Sequence, residues 1–195
     1  MKGTRRLLGL LFAVAVTGLA VAPAAQGAIF ERLSFVDEPY AFDTEACGIA
    51  VHVEGTATGA TRIRTGTGKF ATAFFEHTNL TYSETWTAAN DRFVTVTGHS
   101  VFNEVKAVPF GGNLFRFTDI QAGQPFQLYD SQGNLLLRDR GVIRFTYVFD
   151  TLGDATPGGV TVGDTQVSVR GPHPGFSDET LCQVLVPLLT GPVAV

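Results

Sequence analysis

From Ile49 to Glu54 the chain alternates strictly, with Ile49, Val51 and Val53 apolar and His52 and Glu54 polar. A period of two puts successive side chains on opposite faces of an extended strand, so one face is buried and the other is wet. The pattern returns from Val142 to Asp150, where Ile143, Phe145, Tyr147 and Phe149 share one face against Val142, Arg144, Thr146 and Val148. Helical periodicity is nearly absent until the end of the chain, so hydrogen-bonded ribbons are what this polypeptide builds.

Other runs rich in Val, Thr, Phe and Tyr fit the same reading. Phe74 to Trp86 and Phe93 to Val108 are joined through Thr87–Arg92, whose Asn90-Asp91 pair tolerates the left-handed backbone of a tight reversal. Leu114–Phe117 and Phe126–Tyr129 are read as two strands separated by Gly123-Gln124-Pro125. Asp130 opens a turn that Gly133 completes before Leu135-Leu136-Leu137 resumes the ladder. Val160 to Val169 is a last strand, and Gly171-Pro172-His173-Pro174-Gly175 cannot extend it, because each proline lacks a backbone donor. Ser177 as N-cap, with Asp178 and Glu179 in the first turn, predicts a short helix from Asp178 to about Val186, stopped by Pro187. The expected fold is all-β: a single antiparallel β-barrel of about eight strands with a short C-terminal helix, or alternatively a two-sheet β-sandwich.

The first 27 residues read differently. A basic start (Lys2, Arg5, Arg6), an apolar run from Leu7 to Val21 and small residues at Ala25 and Gly27 form a secretory signal peptide with cleavage after Gly27. The apolar run is shorter than the roughly 20 residues a membrane span needs, and no second segment is apolar enough. Residues 1–27 are thus the leader and 28–195 a single β domain, expected to be secreted to the extracellular space. Arg5-Arg6 leaves the choice between general secretion and the twin-arginine route open. Without the leader's three cations, 11 of the 14 Lys and Arg remain against 18 Asp and Glu. So acidic a surface argues against nucleic acid as a partner. Export to an oxidising compartment pairs the only two cysteines, Cys47 with Cys182.

Patterns that carry chemistry are scarce. No mature serine lies in a G-x-S-x-G context, and His52, His77, His99 and His173 lack metal-binding spacing. Asp37, Glu38, Asp43 and Glu45 do not form a calcium loop and read as a solvated acidic segment. Gly66-Thr67-Gly68-Lys69 lacks the Ser or Thr of a phosphate loop and reads as a turn. No cofactor or metal is expected. Asn79-Leu80-Thr81 is a glycosylation sequon, occupied only in a host that glycosylates. The weak catalytic candidates are Glu76, His77 and His99, which fall in the long central runs, where an inward acid–imidazole pair would move a proton. The ligand-binding candidates are Phe115, Phe117, Phe145, Tyr147 and Phe149, because an eight-stranded barrel is just wide enough to be filled by side chains or to hold one small apolar ligand. Binding of such a ligand, or of a partner on the surface, is the leading functional expectation. A barrel enzyme of cyclase or hydrolase type and a structural cell-envelope protein are the alternatives.

Phe74–Tyr82, Gly123-Gln124-Pro125-Phe126, Leu137–Arg144 and Gly171–Gly175, together with an early Cys47-Gly48 and a late Cys182, resemble a group of secreted proteins from actinomycete-type bacteria. The likeness would cover most of the mature chain. That group carries no assigned activity, so the resemblance implies export and a disulfide and transfers no catalytic residue. No motif of the allene oxide cyclase or dirigent barrels is present.

Overall fold

The computed structural model describes residues 29–154 and 156–191; the expected signal peptide, residues 1–27, lies outside them. Eight strands form one antiparallel sheet: β1 (Ile29–Ala46), β2 (Ile49–Thr65), β3 (Phe74–Ala88), β4 (Phe93–Gly111), β5 (Leu114–Tyr129), β6 (Leu135–Arg138), β7 (Gly141–Asp150) and β8 (Val160–Arg170). The order is β1-β2-β3-β4-β5-β7-β8, with β6 paired beside the end of β5. All strands belong to one sheet, which removes the two-sheet alternative. The sheet is not closed: β1 pairs with β2 and β8 with β7, and these two strands are its edges.

Turn chemistry sets the meander. Cys47 and Gly48 link β1 to β2 with φ of 56° and 79°, the two positive values of a two-residue hairpin. Asp91 takes φ 63° between β3 and β4, as its residue type allows. Asp130 accepts from the backbone N–H of Gln132 and Asn134, with Gly133 at φ 84°.

Three expectations change. Gly123-Gln124-Pro125 does not interrupt the ladder; β5 runs on through a bulge that falls between the Thr97/Gln127 and His99/Gln124 pairs. Pro125 is tolerated there because a bulge residue owes no donor to the ladder. The acidic stretch from Asp37 to Glu45 belongs to β1, and its Pro39 is admitted because β1 is an edge. The third concerns the helix. α1 (Asp178–Thr190) continues through Pro187 for another turn. Asn90 Nδ2 donates to the carbonyl of Leu189 at 2.9 Å, and Arg92 donates to those of Leu188 and Gly191, so the β3–β4 turn satisfies carbonyls that the helix end leaves open. At the other end Ser177 caps α1 as its residue type predicts.

One face of the sheet carries the core in two clusters. Under α1 lie Val53, Trp86, Val94, Val96, Leu128 and Leu137, packed against Leu185 and Leu189 of the helix. Val53, Val94, Leu128, Leu185 and Leu189 are fully buried, each worth about 1.5–3 kcal/mol. The disulfide Cys47–Cys182 ties the β1–β2 turn to α1 across 135 residues. At the far end Ala73, Ala107, Phe115 and Phe117 form the second cluster, joined by Phe70, Phe75, Tyr147 and Phe149.

Candidate functional site

Between the two clusters the same face turns acidic. Register places Glu104 of β4 directly opposite Asp119 of β5, and the next strand over presents Glu76. β3 and β4 pair from Thr87/Phe93 as far as His77/Asn103 and then diverge. Past that point Glu104 Oε2 reaches across the gap to accept the backbone N–H of Glu76 at 2.5 Å. The strands therefore fork, and the Glu76–Glu104 bond sits at the base of the fork.

The remaining contacts are few. Glu76 Oε1 accepts from Thr78 Oγ1 at 2.6 Å, and Tyr147 hydroxyl from β7 donates to Glu104 Oε1 at 3.4 Å. Asp119 is only 3 % exposed, and its Oδ1 has no hydrogen-bond partner. Like charges set directly opposite across a ladder destabilise it, and a buried carboxylate oxygen without a donor costs more still. The electrostatics follow. Burial, reinforced by Asp119 and Glu76, pushes the Glu104 carboxyl up to about 8 against the pull of the Glu76 N–H. Burial pushes Asp119 up to about 6, with the Tyr147 hydroxyl opposing and Glu76 assisting. Burial and the acids Asp119 and Glu104 raise the Tyr147 phenol well above its ordinary range. At neutral pH the site holds a proton among Glu104 and Asp119 and titrates as a unit.

Two shallow depressions open along the fork. One, of about 520 Å³, is lined by Arg64, Thr65, Phe75, Asn103, Glu104 and Val105. Its neighbour, of about 350 Å³, shares Phe75 and Val105 and adds Phe70, Lys106 and Ala107. Phe75 reaches Phe117 at 6.1 Å between ring centroids, so the fork's wall is continuous with the second apolar cluster.

The other sequence candidates fall in different places. Glu76 joins the acidic cluster, whereas His77, next in the strand, alternates to the opposite face. His99 is exposed on that face too and bonds Thr81 Oγ1 at 2.9 Å. The three are not brought together. Phe115, Phe117, Phe145, Tyr147 and Phe149 share the core face, and Phe117 contacts Phe115, Tyr147 and Phe149 ring to ring. His52 and Glu54 face outward as expected, His52 Nδ1 lying 2.8 Å from exposed Asp43. Among the described residues no group of three His, Cys, Asp or Glu side chains is arranged to hold a metal ion, and no helix is long and apolar enough to cross a membrane.

Sequence reasoning passed over Glu104 and Asp119. The available signal was an acid in the middle of a run otherwise made of Val, Thr and Phe. It also missed the pairing of His173 with Asp139, which are buried at 3.7 Å where the β6–β7 break meets the segment leading into α1. Asp139 also accepts the Gly175 N–H at 2.7 Å, which makes this pair a brace for that segment. No protein-family model matches the chain, and no curated protein and no solved structure resembles it significantly.

Proposed function

We propose that the chain is an exported, non-enzymatic binding protein that holds a small organic molecule in the fork between β3 and β4. The observation that carries this reading is the depression at the fork, where Glu104 lines the wall together with Phe75 and Val105; behind Glu104, Asp119 is 3 % exposed with an Oδ1 that has no hydrogen-bond partner. A buried carboxyl is stable when a donor or a proton reaches it, and at Glu104 an incoming ligand supplies the donor. The apolar wall of Phe75, Val105 and Ala107 accommodates the ligand's body. The ligand anticipated for the aromatic row is placed at the fork instead, because Phe115, Phe117, Tyr147 and Phe149 pack ring to ring on one another. In this reading the sheet is a barrel left open along the seam between β1 and β8, curled so that the acidic row faces inward. Export belongs to the same proposal, supported by the leader-like first 27 residues, the likeness to secreted actinomycete proteins and a disulfide that oxidising compartments permit.

A fragment screen by ¹⁵N-correlated NMR tests the site. Hits are expected to shift the amides of Phe75, Glu76 and Val105, and Glu104→Gln is expected to weaken them. A screen whose hits all fall elsewhere, or that yields none, would overturn it. General acid–base catalysis is the second reading, favoured by Glu104 alone, whose carboxyl is raised to about 8. Chemical change of a bound fragment on incubation, absent with Glu104→Gln, would establish that reading instead.

A further inference from the structure

We propose that a second copy of this chain docks on the β8 edge, β8 pairing antiparallel with its counterpart about a two-fold axis through Val167, so that the two sheets run on as one. The backbone phase points there. Arg140 N–H donates to the Pro172 carbonyl at 2.8 Å, and the ladder continues through Val142/Arg170, Arg144/Ser168 and Thr146/Gln166. Opposed residues in an antiparallel pair alternate between bonded and unbonded, so these three pairs are the bonded ones, and the N–H and C=O of Val167 and Val169 point away from β7. Among the described residues β7 is the only strand paired with β8, which leaves those groups as a template for another strand.

The side chains agree with the backbone. Register sets Val167 opposite Phe145 and Val169 opposite Ile143 on the core face, yet the two valines are 37 % and 41 % exposed, so the core face runs off the sheet uncovered at β8. Between Val160 and Arg170 there is no proline and no lysine. The other edge, β1, carries Pro39, a bulge between Phe35 and Glu38 and the acids Asp37, Glu38, Asp43 and Glu45, all of which guard an edge against pairing. Charge then selects the register. The two charged residues of β8, Asp164 at its bulge and Arg170 at its end, are exposed, and among the described residues neither belongs to an ion pair. An axis through Val167 sets Asp164 opposite Arg170 of the second copy and the reverse, while Thr165 meets Val169 and Val167 meets itself, exchanging both N–H···O bonds. Moving the axis to Gln166 sets Asp164 against Ser168, and moving it to Ser168 sets Asp164 against Pro172, so either shift loses both charge pairs.

Sedimentation velocity on the intact, oxidised protein across the micromolar range, combined with amide hydrogen exchange, tests the proposal. The expected result is a concentration-dependent dimer in which the Val167 and Val169 amides exchange slowly and become fast once dilution separates the copies. Asp164→Arg and Arg170→Asp each bring like charges together and should weaken the dimer at least roughly tenfold, and the two combined should restore it. Val167→Pro removes a donor that β7 does not use, so it should give a monomer whose Arg144 and Thr146 amides stay protected; if that variant does not fold, the charge exchange decides alone. A protein that stays monomeric throughout, a dimer that the charge reversals leave intact, or oligomers that keep growing with concentration as β8 pairs with β1 would overturn the proposal.

Discussion

Replacing Glu104 by Gln should change how stability depends on pH, in a direction opposite to that of acids held by salt bridges. Glu104 has an ordinary carboxyl value of 4.5 in the unfolded chain and about 8 when folded. Because the folded value is the higher one, the folded state binds a proton that the unfolded state gives up. The contribution to stability is fully present below about pH 4.5 and is lost as pH rises, until the loss levels off above about 8. At about 1.4 kcal/mol for each tenfold difference in proton affinity, ionising Glu104 in place costs the fold about 4–5 kcal/mol. Relaxation and the coupling to Asp119 reduce this, so about 2–4 kcal/mol should be lost between pH 5 and 9. Glutamine keeps an oxygen that accepts the Glu76 N–H and cannot ionise. Urea unfolding at pH 5, 7 and 9 is the assay. Wild type should lose midpoint on the order of 1–2 M across that range relative to the variant, and the variant should be the more stable protein at pH 9. Parallel curves for the two proteins would refute the burial of Glu104 and the reasoning built on it.

Other consequences are as direct. Cys47→Ser with Cys182→Ser opens a loop of 135 residues, and loop entropy sets an upper loss of about 5 kcal/mol; unchanged urea midpoints in the double variant would contradict the clasp. Leu189→Ala, at a fully buried helix position, should lower stability by about 2–5 kcal/mol in the same assay. Asn90→Ala should cost about 0.5–2 kcal/mol by uncovering the carbonyl of Leu189, seen as earlier thermal loss of the α1 signal. Gly98→Ala should be costly, about 1–3 kcal/mol, because its Cβ would lie 2.5 Å from the Pro125 carbonyl and 2.2 Å from the Tyr82 ring at the β5 bulge; a variant as stable as wild type would mean that the bulge is looser than described.

Much of the fold could be read from alternation, because a buried face imposes period two on every strand it covers. Val51 and Val53 inside with His52 and Glu54 outside follow from Ile49–Glu54 alone. So do the turns at Asp91 and Asp130, where residue type dictates backbone conformation. β1 was hidden because Pro39 and the acids from Asp37 onward argue against a strand in general, although an edge strand accepts both. Pro187 marks a helix end by local rules, and only the cap supplied by Asn90 and Arg92, nearly a hundred residues earlier, overrides it. The acidic site was hidden for the same reason: Glu76, Glu104 and Asp119 meet through the register of three strands. Local pattern names the face each acid takes and leaves its neighbours on adjacent strands unspecified.

The Glu76 backbone amide offers the most direct test, since its N–H bonds Glu104 Oε2 across the fork. Its ¹⁵N and ¹H shifts, followed from pH 5 to 10, should move through a single large step centred near 8, the value to which burial raises the Glu104 carboxyl, and the step should vanish in Glu104→Gln. An amide that stays flat over this range, or that moves only around pH 4 to 5, would mean that Glu104 is solvated and that no buried acidic site closes the fork.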